Sequence, residues 1–91
     1  MRTITVRVLV SDIEDSKYSD IRNCALARAL RRAGISFPIV GGSEINAEYT
    51  DYCNIPLPEE IAFKIANGYR NKSNLIEDFS FDIEVPDMWL I

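Results

Sequence analysis

Histidine is missing from the 91-residue chain. That absence removes serine–histidine and cysteine–histidine nucleophile pairs, imidazole general bases and imidazole metal ligands in one step. Cysteine is scarce: Cys24 and Cys53 allow at most one disulfide, and whether they approach one another depends on geometry. Neither a dense cysteine framework nor a leader-like start marks a secreted scaffold, so the expectation is a cytoplasmic protein. Glycine is scarce too. Gly41-Gly42 reads as a turn, and neither a phosphate-cradling loop nor a Gly-x-Ser-x-Gly nucleophile elbow is present. No apolar run approaches the roughly 20 residues of a membrane span, so no membrane partner is expected.

What is present is a mixed composition, 47% hydrophobic and 26% charged, which fits an ordered globular chain rather than a disordered one. The length fits one domain over residues 1–91. The net charge of −4 hides a split. Residues 1–35 carry seven basic and four acidic side chains, and residues 36–91 carry three basic and ten acidic. This split predicts a basic patch and an acidic face on one small body.

Residues 3–10 alternate, with Ile4, Val6, Val8 and Val10 on one side, the pattern of a half-buried strand. Ser11-x-x-Glu14 has the spacing of a cap for a short helical turn. Residues 20–33 read as a helix, capped by Ser19 or Asp20. Its apolar stripe is Ile21, Ala25, Ala29 and Ala33, widened by Leu26 and Leu30, and it stops at Gly34. Residues 35–50 read as a hairpin whose first strand, carrying Pro38, lies at a sheet edge; 51–56 form a connector. Pro58 opens a second helix. Residues 79–85 alternate again, with Phe79, Phe81, Ile83 and Val85 inward and Ser80, Asp82 and Glu84 outward. The order β-α-β-β-α-β predicts an α+β, ferredoxin-like fold: a four-stranded antiparallel sheet with two helices on one face. The alternative is a three-stranded sheet with two helices, lacking the 44–49 strand.

Few constellations carry chemistry. Cys24 near a helix start invites a lowered thiol pKa, but no partner base stands beside it, and a small buried residue is the favoured reading. The acidic groups Asp12, Glu14 and Asp15, Glu59 and Glu60, and Glu77, Asp78, Asp82, Glu84 and Asp87 lack the spacing of a calcium loop, so neither metal nor cofactor is expected. Arg28, Arg31 and Arg32 close the first helix, where they favour its dipole and could also grip phosphate. The aromatics Phe37, Phe79 and Phe81 fall on faces assigned to the core, which weighs against base stacking; Tyr49 alone could be exposed. Trp89 near the end packs on the body or anchors a partner, and packing is favoured.

Several of these segments recur together in order: Asp12-Ile13, the run Asn23-Cys24-Ala25-Leu26-Ala27-Arg28-Ala29-Leu30, Leu57-Pro58 opening a helix, and Phe79-Ser80-Phe81. In them the chain resembles small uncharacterised α+β proteins encoded by bacteriophages and prophages. It departs from them at Ala25, where a proline often follows the cysteine. The resemblance implies phage origin and no catalytic activity, and it carries over no functional residue.

The resulting expectation is a non-enzymatic interaction module that occupies a host protein surface. One version is an anti-CRISPR-like inhibitor of a host defence complex whose acidic face mimics phosphate. The candidate partner-binding residues are Asp82, Glu84, Asp87, Arg28, Arg31, Arg32 and Trp89. The alternative is a nucleic-acid-binding accessory protein that uses the arginine-rich helix end. An edge strand or an uncovered sheet face would also serve as a pairing surface for a homodimer.

Overall fold

A computed structural model describes residues 1–41, 43–48, 54–70 and 78–90. The chain runs β1 (Arg2–Val8), α1 (Val10–Glu14), α2 (Ala25–Arg32), β2 (Pro38–Gly41), β3 (Glu44–Ala47), β4 (Ile55–Pro56), α3 (Glu59–Arg70) and β5 (Phe79–Val85), then a 3₁₀ turn over Asp87–Trp89. The expectations for Tyr49, Cys53 and Glu77 lie outside the described residues.

The chain is α+β with antiparallel strands, which among the described residues form two sheets and not one four-stranded sheet. Among the described residues β1 pairs with β5, and β2, β3 and β4 form a separate sheet in that order. In the ferredoxin-like arrangement the middle hairpin would lie against β1. Here the free side of β3 is taken by β4, with Glu44 opposite Pro56 and Ile45 opposite Ile55. Residues 55–56, read from sequence as connector, therefore occupy the position the first strand would need. The edge placement of the strand carrying Pro38 is as the missing donor requires: β2 is the outer strand of its sheet.

The β1–β5 ribbon follows its alternation closely. Ile4 faces Ile83, Val6 faces Phe81 and Val8 faces Phe79 on the inner side, and Val6, Val8, Ile83 and Val85 are buried. Helix α2 lies against both β1 and β2. Its Ala25, Ala27 and Ala29 are fully buried, so small side chains meet its neighbours where larger ones would hold them off. Leu26, Leu30, Ile13, Ile45 and Trp89 fill the space between the layers.

Three local expectations change. Helix α2 begins at Ala25 rather than residue 20, because Asp20 holds a turn of its own. Its carboxylate accepts from the N–H groups of Arg22 and Asn23 at 3.2 Å, and its carbonyl accepts from Cys24 N–H at 2.7 Å. Helix α1 starts after Leu9 rather than at Ser11: Asp12, not a serine hydroxyl, bonds the Leu9 N–H at 2.9 Å. Phe37 is not a core residue. It adopts φ 50°, which breaks the alternation before Pro38 and leaves its ring 62% exposed.

Candidate functional site

The outward face of the β1–β5 ribbon is set by register. Thr3 stands opposite Glu84, Thr5 opposite Asp82 and Arg7 opposite Ser80, all six exposed. Asp82 accepts a hydrogen bond from the Thr5 hydroxyl at 2.7 Å. A threonine orients this carboxylate without neutralising it. Glu84, opposite Thr3, has no ion-pair partner among the described residues. Side chains two apart on a strand stand about 7 Å from one another on the same face, so Asp82 and Glu84 form a short row of negative charge. The flanking carboxylates are compensated. Asp78 takes Arg7 at 3.3 Å and the Val10 N–H at 2.8 Å, and Asp87 lies 3.8 Å from Arg2. Of the three acidic candidates, Asp82 and Glu84 thus share one face, while Asp87 sits beyond it on the 3₁₀ turn.

The arginine candidates are each bonded within the chain while staying partly or fully exposed. Arg32 clamps Asp12 with two bonds, Nη2 to Oδ1 at 2.6 Å and Nη1 to Oδ2 at 3.1 Å, and its Nη1 also donates to the Arg7 carbonyl at 3.0 Å. Asp12 is 1% exposed. The bidentate fork supplies the donors that such a carboxylate needs once removed from water. The same bond to Asp12 holds the Arg32 guanidinium above its ordinary pKa. Arg28 places Nε 3.9 Å from Asp12 and donates to the Asp15 carbonyl at 3.0 Å. Arg31 donates to the Arg22 carbonyl at 2.8 Å and lines one open cavity with Arg28 and Lys17. The three residues read from sequence as one basic patch are anchored separately: Arg28 and Arg32 fasten α1 to α2, and Arg31 ties α2 to the turn before it, while Arg28 and Arg31 still border one cavity. Trp89 is fully buried and belongs to the core.

Two further residues organise this region. Tyr69, on the last turn of α3, accepts the Ala25 N–H at 2.8 Å and shares a hydrogen bond with the Ser16 hydroxyl, which in turn bonds the Asp12 carbonyl. Burial raises the Tyr69 pKa. Cys24, free and buried at the N-cap of α2, has its thiol pKa raised chiefly by burial, with backbone N–H groups at the helix start opposing only in part. The protonated thiol is the favoured form at neutral pH, the opposite of an activated nucleophile. Sequence groups Asp12 with Glu14 and Asp15 as one acidic cluster, although a signal for its burial is present: it stands between Val10 and Ile13, and two arginines lie four apart on the next helix. Tyr69 carried no such signal, because an apolar helix face holds tyrosine for packing alone. No group of three or more cysteine, aspartate or glutamate side chains gathers as a metal site among the described residues, and no helix there is long and apolar enough to cross a membrane. Comparison with protein-family models, curated proteins and solved structures returns no match.

Proposed function

We propose that the chain is a non-catalytic interaction module that presents the Asp82–Glu84 row to a basic surface of a host protein. In this reading it is a phage-encoded inhibitor of a nucleic-acid-handling defence complex, and the row occupies a groove built for phosphate. One observation carries the reading. The two carboxylates on the open ribbon face stand opposite threonines, whereas Arg28 and Arg32 are held by a buried aspartate. A nucleic-acid reading would draw on two arginines that already neutralise Asp12, whereas Asp82 and Glu84 have no such counterion to give up among the described residues, so the acidic face is preferred.

The test is capture from bacterial lysate with the tagged 91-residue chain, with and without nuclease, beside the double variant Asp82→Lys and Glu84→Lys. The expected result is a stoichiometric nucleic-acid-binding protein that survives nuclease, is displaced by added DNA or RNA, and is lost with the double variant. Capture that is unchanged by charge reversal, or that vanishes with nuclease, would overturn the reading.

A further inference from the structure

We propose that the cavity between the 18–21 turn, α2, β2 and α3 is a binding site for a small, uncharged, mostly apolar molecule of about the size of an alkylbenzene or indole. The site is independent of the acidic ribbon face. The cavity measures about 260 Å³. That lies just below the roughly 300–1,000 Å³ of drug-sized sites. It exceeds the roughly 150 Å³ at which an apolar cavity stays dry and admits benzene.

The lining fixes the ligand class. Its floor is Leu26, Leu57 and Ile65, all buried. None of the described residues lining it carries a charge. A carboxylate or ammonium entering here would lose its hydration and meet no counterion among the described lining residues. The Tyr69 hydroxyl reaches the wall but is already bonded to the Ala25 N–H and the Ser16 hydroxyl, so it has little left for a ligand. The remaining polar groups are the Cys24 thiol and, at the mouth, Tyr18 and Ser19. The arrangement suits an apolar body with at most one hydroxyl or N–H directed outward.

The mouth supplies a second observation. Ile21 and Tyr18 are exposed by 42% and 56% and both line the cavity. Tyr18 leans edge-on against Tyr69, with ring centroids 5.3 Å apart. A bound apolar molecule would cover the inner sides of both residues, so apolar surface now in contact with water would be removed from it. An aromatic ligand would meet an aromatic wall already set for edge-to-face contact.

The probes are toluene and indole, with benzoate as the charged counterpart, titrated into the full isotope-labelled chain and followed by NMR. The expected result is saturable shifts at Leu26, Leu57, Ala62 and Ile65 with toluene and indole, and none with benzoate. Shifts that do not saturate, or that scatter over the exposed Phe63 and Met88, would overturn the site. A second readout uses the wall thiol. In a Cys53→Ser chain, alkylation of Cys24 by N-ethylmaleimide should slow about tenfold at a ligand concentration ten times Kd. An unchanged rate would overturn the proposal. Ala62→Phe, which fills the mouth from α3, should abolish both effects while the far-ultraviolet circular dichroism stays native. If that variant does not fold, the titration and the alkylation rate of the unfilled chain still decide.

Discussion

Asp12 shows how one side chain can redirect a reading built on charge. Two of the three arginines that form a basic cluster in sequence are structural counterions to a carboxylate 1% exposed. Replacing Asp12 by Ala removes two charge-assisted bonds and the acceptor for the Leu9 N–H. The arginine side chains keep 36% and 44% exposure and can regain water. The expected loss is therefore about 2 kcal/mol in urea unfolding, below the roughly 3–5 kcal/mol of a fully buried broken pair. Asp12→Asn, which keeps an acceptor for Leu9, should lose less. The sequence signal at Asp12 is weak, because burial of a carboxylate depends on partners sixteen and twenty residues away. Cys24 was legible, since a small residue at a helix start with no base beside it is more easily buried than activated. Its raised pKa gives a second expectation. The unfolded chain releases the thiol proton near pH 8.5 while the folded chain retains it, so the folded state binds more protons and stability falls as pH rises above about 8.5. Urea midpoints measured across alkaline pH should show this slope, and Cys24→Ala should flatten its first part, leaving the contribution of Tyr69 at higher pH.

At the scale of elements, the end of α2 was legible and its beginning was not. Gly34 sits at φ 110°, with Gly34 N–H bonded to the Arg31 carbonyl and Ile35 N–H to the Leu30 carbonyl, both at 3.1 Å: a Schellman termination. An alanine side chain at Gly34 would meet nothing closer than 4.0 Å, so the penalty of Gly34→Ala is conformational rather than steric. An expected destabilisation of about 1–2 kcal/mol follows. It would be read from the thermal midpoint, and a midpoint unmoved by the substitution would mean that the termination relaxes freely. Periodicity runs through Ile21 and so places the start of α2 too early, whereas Asp20 closes a competing turn that periodicity does not register. The last strand fell on Phe79–Val85 as its alternation requires, since two-fold periodicity is complete within the strand. The sheet pairing was less legible. Strand β4 is only Ile55–Pro56, too short for any periodic signal, and it takes the side of β3 that a continuous sheet would use.

Across the whole molecule, the split into two sheets gives α2 a role that a single sheet would not require. It packs on β1 from one sheet and β2 from the other, and Ile35 just beyond it bridges to Leu90 after β5. If this helix is what couples the sheets, loss of packing at its centre should loosen both together. Leu30 is the natural probe because it is fully buried on α2. Leu30→Ala should cost about 2–5 kcal/mol. That is a large part of the roughly 5–14 kcal/mol expected for a chain of this length. Amide hydrogen exchange would distinguish the two outcomes. With coupled sheets, protection at Val6 and Val8 in β1 and at Ile45 in β3 should fall by the same free energy as the global stability. If Ile45 kept its protection while Val6 and Val8 lost theirs, the hairpin sheet would be an independent unit, and the β1–β5 ribbon bearing Asp82 and Glu84 would depend on α2 alone. The acidic row would then be presented by the less stable part of the protein, and partner binding should raise ribbon protection selectively. Coupled sheets instead predict that a partner on the ribbon protects β3 as well.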